Sequence, residues 1–248
     1  MSNSSRLVLA FDIYGTILDT GSIASAIRVQ VAECSNDQAI QLSQLMRRYQ
    51  LEYTWRLNSM GLYEPFDVVT KNSLKHAAAE LDITLDDTAV TALMNSYDRL
   101  HPFADAIPAL EELSQLPNVR LFVFSNGTKQ MVTTALHASL PEALHSLPLC
   151  LADSVQRYKP ALDAYKALLH SVSNHTLPEA RGDVPNVWLV SGNPFDVTGA
   201  RSAGLGAIWV DRIGKGWKDQ LPLPVDGLGP WKTIRSLQEI AAMIGDLM

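Results

Sequence analysis

Cysteine is nearly absent from this 248-residue chain: Cys34 and Cys150 stand far apart and neither belongs to a CxxC pair. A disulfide framework and a thiolate zinc site are thereby excluded, and two buried free thiols in a reducing compartment are expected. No apolar run reaches the ~20 residues that a membrane-spanning helix needs. The run near the start, LVLAF, is cut short by Asp12, too early for a secretory leader, so a cytoplasmic location is expected. A basic excess is also missing. The net charge is −6, with acids and bases mixed along the chain, which argues against nucleic acid and anionic membrane as partners. A small anionic substrate stays open, because a site can be locally positive. None of the six histidines falls at the end of a strand-like run, so a histidine-based triad has no support. Gly204-Leu205-Gly206 lacks the rest of a dinucleotide fingerprint and reads as a turn into a strand. No internal repeat is visible.

What is present is apolar and periodic. Hydrophobic residues make up 47% of the chain, enough for a large core. Short, non-alternating apolar runs fall at Leu7–Phe11, Val119–Phe124, Val187–Val190 and Ala207–Val210, with a weaker one at Leu147–Ala152. Such runs suit strands buried on both faces, as in a parallel sheet. Helical spacing separates them, as at Leu110, Leu113 and Leu116, at Met131, Ala135 and Leu136, and at Leu162, Tyr165, Leu168 and Leu169. Alternation of this kind predicts an α/β fold with a Rossmann-like open parallel sheet. Trp217, Trp231 and the prolines around them suggest an irregular segment on the core, before a last helix near Ser236–Leu247.

One stretch breaks the alternation. Between about Ser22 and Phe103 the sequence shows helical stripes only: Leu42, Leu45, Met46, Tyr49 and Tyr53, then Leu74, Ala77, Ala78 and Leu81, then Leu93, Met94, Tyr97 and Leu100. Asp86 or Asp87 is a plausible N-cap for the third. The expected organisation is therefore a core of residues 1–20 and 104–248, with an all-helical cap, 21–103, inserted after the first strand. Ligands of open α/β sheets bind at the carboxyl ends of the strands, so the insertion would cover that crevice.

Polar residues gather at those ends. The first strand runs into Asp12, the second into Ser125-Asn126-Gly127, and the fourth into Ser191-Gly192-Asn193 with Asp196 close behind. Lys159 precedes Pro160, in a step that resembles a helix start. Asp12 is a candidate nucleophile that Lys159 would keep ionised. Ser125 and Asn126, with the N–H groups opening the next helix, suit an anionic group. Asp196 could act on water.

These same residues carry a resemblance. FDIYGT at Phe11–Thr16, FSNG at Phe124–Gly127, YKP at Tyr158–Pro160 and SGNPFDVTGA at Ser191–Ala200 are similar to the four motifs of the haloacid dehalogenase superfamily, in its L-2-haloacid dehalogenase (type II) branch. GARSAGLGAIWVDR continues the fourth motif, and RRYQLEYTW at Arg47–Trp55 resembles the branch's cap helix. The likeness spans about Arg6 to Arg212. Phosphatase relatives carry DxD where this chain has Asp12-Ile13-Tyr14, and Asn193 stands where a metal-binding Asp would be expected. Losing a carboxylate at both places argues against Mg²⁺ and a phosphatase. No metal and no cofactor are expected.

The resemblance implies the roles. Asp12 would attack the halogen-bearing carbon and form an ester that water then hydrolyses at the Asp carboxyl carbon. Arg47 and Asn126 would cradle the halide, with Phe66 as an apolar wall. Ser125 and the N–H groups of Ile13 and Tyr14 would take the substrate carboxylate. Thr16 and Lys159 would orient and neutralise Asp12, Ser191 and Asn193 would support the network, and Asp196 would activate water. Tyr165 would lie at the site periphery, Leu51 would line the pocket from the cap, and Phe195, where the branch commonly has Trp, would shape it. Simple packing competes with these roles for Phe66 and Tyr165, and a charged helix surface for Arg47, which has Arg48 beside it. A second departure is Met46, where the branch usually has Trp.

The activity expected from the resemblance is hydrolytic removal of halide from a short (S)-2-haloalkanoic acid. Ring-opening of azetidine-2-carboxylate by the same nucleophile is the alternative. A Mg²⁺-dependent phosphatase and a non-catalytic carboxylate binder are further ones. Many proteins of the branch are homodimers, and the helical stripes here are compatible with one.

Overall fold

The structure, a computed structural model, describes residues 7–31, 33–175, 186–221 and 229–248. Arg6, where the resemblance begins, lies outside them, as does part of the expected irregular segment between Trp217 and Trp231. A six-stranded parallel sheet in the order β3-β2-β1-β4-β5-β6 forms the centre. Its strands are β1 (Leu7–Phe11), β2 (Val119–Ser125), β3 (Leu149–Leu151), β4 (Asn186–Ser191), β5 (Gly206–Val210) and β6 (Lys232–Ile234).

Alternation along each strand now has a purpose. Leu7, Leu9 and Phe11 point to one face with Leu121 and Val123, while Val8 and Ala10 point to the other with Phe122 and Phe124. Both faces are covered, which is why every second position is apolar as well. Helices α5 (Ala106–Ser114), α6 (Lys129–Ser139) and α9 (Ile240–Leu247) lie on the first face. Helices α7 (Leu162–His175) and α8 (Pro194–Ser202) lie on the second.

Two sequence expectations change. β6 follows the irregular segment and was not expected; at three residues it is too short to show a pattern. The weak run at Leu147–Ala152 shrinks to β3, because Ala152–Val155 turns into a 3-10 helix. The Pro160-Ala161-Leu162 step does lead into a helix, since α7 begins at Leu162, two residues after the cis Lys159–Pro160 bond. The last helix forms, entered by a 3-10 turn at Leu237–Glu239 under a Ser236/Glu239 capping box.

Four helices fill the region between β1 and α5: α1 (Ile23–Gln30), α2 (Asn36–Met60), α3 (Phe66–Glu80) and α4 (Asp87–Tyr97). α1 has only Ile23 and Ile27 buried, too few to show as a stripe in the sequence. α2 is long because it is well bounded. Ser35 and Gln38 form a capping box at its start, and Gly61 ends it with φ +69°. Asp86 caps α4, accepting from the N–H of Ala89 at 2.6 Å. The four helices do not keep a separate core. Leu42, Met46, Phe66, Leu74 and Tyr97 belong to one buried cluster with Leu9, Phe11 and Val123 of the sheet.

Polar bonds also tie the helices to the core. The Asn58 amide on α2 pairs with both backbone groups of Tyr158, donating to its C=O at 2.7 Å and accepting from its N–H at 3.0 Å. The Tyr158 hydroxyl donates to the Glu64 carbonyl, and the Tyr63 hydroxyl to the Asp153 carboxylate. Both cysteines are free and buried, as expected, and burial pushes the Cys150 thiol up to about 11. No helix among the described residues is long and apolar enough to cross a membrane.

Asn58→Leu strands the buried N–H and C=O of Tyr158 and should cost about 1–3 kcal/mol of stability. Urea unfolding measures the loss. Faster hydrogen exchange at the Tyr158 amide, in excess of the general acceleration that the lower global stability gives the core amides, locates it.

Candidate active site

Strand register places the residues that follow each strand. Phe11 is level with Val123 of β2 and Val190 of β4, so Asp12 emerges beside Phe124 and Ser191. The chain runs from β1 outward to β3 and then crosses back to β4. β1 and β4 therefore flank the point where strand order reverses, the usual crevice of such sheets.

After Asp12 the backbone folds back at once. The carbonyl of Ile13 accepts from the N–H groups of Thr16, Ile17 and Leu18. Gly15 sits at φ +89°, and a Cβ on Gly192 would lie 2.4 Å from the Gly15 carbonyl oxygen. Glycine at 192 thus lets the β4 end touch the β1 turn. The contact orients Thr16. Its Oγ1 accepts from the Gly192 N–H at 2.9 Å and so turns its own proton to Asp12 Oδ2 at 2.7 Å. Arg212, bound to Asp105, holds the Thr16 carbonyl from behind at 2.8 Å.

Lys159 sits between two carboxylates. Its Nζ donates to Asp12 Oδ1 at 2.8 Å, to Asp196 Oδ2 at 2.6 Å and to the Phe124 carbonyl at 3.0 Å, which uses all three protons. The side chain is 1% exposed. Burial alone would lower its pKa, but the charges of Asp12 and Asp196 outweigh it and hold Lys159 above its ordinary value of 10.5. Burial pushes Asp196 up; Lys159 pulls it back, while the charge of Asp12 adds to the rise.

Asp196 and Tyr165 stand behind the lysine. Tyr165 is fully buried and donates to Asp196 Oδ1 at 2.8 Å. Tyr165, placed at the site periphery by the resemblance, lies on the second apolar face of the sheet and meets the site through Asp196. Ser191 likewise supports a neighbour, accepting from the Asn193 N–H at 3.1 Å.

Asn193 joins core to cap. Its Nδ2 donates to Asp12 Oδ2 at 2.7 Å and to the Tyr14 carbonyl at 3.0 Å, and its Oδ1 accepts from Arg47 Nη2 at 3.2 Å. Arg47 reaches down from α2 to the Tyr14 carbonyl as well, at 3.0 Å. Its expected neighbours follow. Leu51, one turn along α2, is half-buried, and Phe66 is buried against the rings of Tyr14 and Tyr158. Phe195 meets Trp55 edge-on at 5.6 Å, core to cap.

Free donors remain around Asp12. Asn126 accepts from the Lys159 N–H at 2.9 Å, which turns its Nδ2 away with no protein acceptor among the described residues. Ser125 accepts from the Gly127 N–H at 3.0 Å and keeps its proton to give. The N–H groups of Ile13 and Tyr14 donate to nothing among the described residues. Tyr14 stacks on Tyr97 at 5.4 Å, and its hydroxyl is buried without a partner. Burial keeps that phenol well above its usual range, so Tyr14 supplies no acid or base in place of a second Asp.

Sequence reasoning missed Gln50, Thr70, Tyr97, Asn58 and Arg212. Gln50 and Thr70 are polar residues on otherwise apolar buried faces, a signal that was available. Asn58 and Arg212 act on backbone atoms distant in sequence, and nothing local marks them.

A family profile described as haloacid dehalogenase-like hydrolase matches residues 7–204. The chain belongs to this family. Haloacetate dehalogenase H-2 of Moraxella sp. (strain B) is 32% identical, over 83% of this hydrolase and 86% of that protein. The (S)-2-haloacid dehalogenase H-109 of Pseudomonas putida is 31% identical, over 96% and 97%. Among solved structures, that of the L-2-haloacid dehalogenase RSc1362 superposes with a TM-score of 0.79 at 27% identity, covering 98% of this chain and all of that one.

Some families of this fold use Mg²⁺, and the donors here do not fit it. Asp196 is tied to Lys159, the ammonium lies between the two carboxylates, and Asn193 turns its amide nitrogen, not its oxygen, to Asp12. Mg²⁺ requires converging oxygens.

Lys159→Met leaves two buried carboxylates without their cation and should cost about 3–5 kcal/mol at neutral pH. The sign with pH follows from burial. Asp196, whose pKa burial raises, contributes stability that is lost as pH rises through its folded value and regained on acidification, so the deficit shrinks as pH falls. Urea titrations of both proteins across pH check this. In the native protein Asp12 and Asp196 hold Lys159 above its ordinary value, so its ammonium persists through the neutral range.

Proposed function

We propose that this hydrolase is an (S)-2-haloacid dehalogenase. One observation carries the reading: Asp12, 4% exposed, has a neutralising ammonium on Oδ1, two donors on Oδ2, and a cap guanidinium one amide away. The two donors on Oδ2 fill its lone pairs, whereas Oδ1 keeps one open for attack. Relatives about 31–32% identical, named for haloacetate and (S)-2-haloacids, support it.

The chemistry runs in two steps. Ser125 and the N–H groups of Ile13 and Tyr14 hold the substrate carboxylate, and Phe66, Leu51 and Phe195 wall the carbon. Asp12 Oδ1 forms a bond to the 2-carbon as the carbon–halogen bond breaks, and that electron pair leaves as halide toward Arg47 and Asn126. Burial strips Asp12 of water before attack. Backside attack inverts the centre. Water then adds to the Asp12 carboxyl carbon and yields a proton to Asp196, a base strengthened by its burial. The carboxyl carbon releases the hydroxy-acid oxygen, which takes that proton, and Asp12 returns as carboxylate with one proton passing to solvent. Thr16, Asn193 and Ser191 keep Asp12 in place throughout.

In this reading the helices of residues 21–103 act as the cap that closes the site. Ring-opening of azetidine-2-carboxylate is the weaker reading, because Arg47 would face a cationic leaving group. Two buried free thiols fit a reducing, cytoplasmic location. A homodimer belongs to the reading too: Met60, Leu62 and Val68 expose apolar surface near the α2–α3 turn, and light scattering measures it.

Single-turnover hydrolysis of 2-chloropropionate in heavy-oxygen water is the test. Label should enter Asp12 while the first product carries none; label in the first product overturns the ester route. Asp12→Asn should lower halide release at least about 10⁴-fold.

A further inference from the structure

The Arg47 guanidinium is anchored entirely by neutral atoms. Nη1 donates to Gln50 Oε1 at 2.7 Å, and Nη2 donates to the Tyr14 carbonyl and to Asn193 Oδ1. No ion pair among the described residues includes Arg47. Gln50 is itself fixed on every side. It lies one turn after Arg47 on α2 and is fully buried. Its Oε1 also accepts from the Tyr97 hydroxyl at 3.1 Å, and its Nε2 donates to Thr70 Oγ1 at 2.6 Å. Thr70 passes its own proton to the Phe66 carbonyl at 2.6 Å, so the amide orientation has no freedom. Phe66 and Tyr97 both pack on Tyr14, which brings the anchor back to the turn after Asp12.

A half-buried arginine such as Arg47 can be met by a carboxylate, which would give a stronger anchor. Here that would be a disadvantage. As the carbon–halogen bond breaks, negative charge moves from Asp12 to the departing halide. An uncompensated cation attracts that charge; a cation already paired with a carboxylate attracts it far less.

We propose that Gln50 is a positioning residue whose neutral oxygen fixes the Arg47 guanidinium while leaving its full charge for the leaving halide. The proposal rests on the dehalogenase reading and assigns to it a determinant of leaving-group handling. Gln50→Glu is nearly isosteric and keeps acceptors for Arg47 and Tyr97; it loses the donor to Thr70, whose hydroxyl then turns from the Phe66 carbonyl to the new carboxylate, so Arg47 keeps its aim while its charge is quenched. Gln50→Met fills the same space without an acceptor and releases the guanidinium.

The experiment follows halide release from 2-bromo- and 2-chloropropionate, together with the dissociation constant of sodium bromide measured calorimetrically. Gln50→Glu should lower kcat on the order of 10²-fold with KM little changed, and weaken bromide binding on the order of tenfold. Its deficit should be larger for chloride than for bromide, the better leaving group. Gln50→Met should lower kcat on the order of tenfold and weaken bromide as well. A purely structural Gln50 predicts the opposite order, with Glu tolerated and Met harmful; that outcome overturns the proposal, as does an unchanged bromide affinity in both variants. Should Gln50→Glu not fold, Gln50→Met carries the positioning claim alone, and wild-type bromide affinity there refutes it. If the unmodified enzyme releases no halide from either substrate, the dehalogenase reading falls; if it does and both variants match it, only the role of Gln50 falls.

Discussion

An ammonium group, buried and shared by two carboxylates, is the constraint on which the rest of this hydrolase depends. Lys159 is drawn out of water to a place where burial opposes its charge, and the charges of Asp12 and Asp196 reverse that penalty. The same pairing leaves Asp12 neutralised but with an open lone pair, and sets Asp196, backed by Tyr165, behind it. Two carboxylates and one ammonium form one electrostatic unit, in which each charge offsets the burial of the others.

The unit exists because three segments far apart in sequence end at one edge of the sheet. β1 delivers Asp12, the segment after β3 delivers Lys159, and β4 with α8 delivers Asn193 and Asp196. The helices between β1 and α5 share the apolar cluster of the first sheet face, so the cap is joined to the core by burial as well as by the Asn58–Tyr158 pair. That pair adjoins Lys159 in the chain. Cap position and lysine position are thereby linked, and Asn193 links the cap guanidinium to Asp12 in turn.

The charges divide the labour. Beside Asp12 the ammonium of Lys159 is fully paired. Above it, Arg47 is met by neutral oxygens and retains its charge. Under the proposed dehalogenase reading, one positive group serves the ground state and the other the developing anion, a division that suits a reaction in which negative charge travels from one end of the site to the other.

Much of this was written in the sequence. Strands buried on both faces show as continuous apolar runs, and helical stripes show as 3.6-residue spacing, so the α/β core and the helical insertion were legible. So were Asp12, Lys159, Asn193 and Asp196, because strand ends in a parallel sheet must converge. Only the tertiary structure decided the rest. A three-residue edge strand such as β6 has too few positions to carry a pattern, and Tyr165 sits on an apolar stripe that does not say which polar atom its hydroxyl meets. The partners of Lys159, the neutral shell of Arg47 and the hold of Asn58 on Tyr158 are contacts between residues distant in the chain. Local sequence encodes which side chains are buried. Which of them touch is fixed by the packing of the whole molecule.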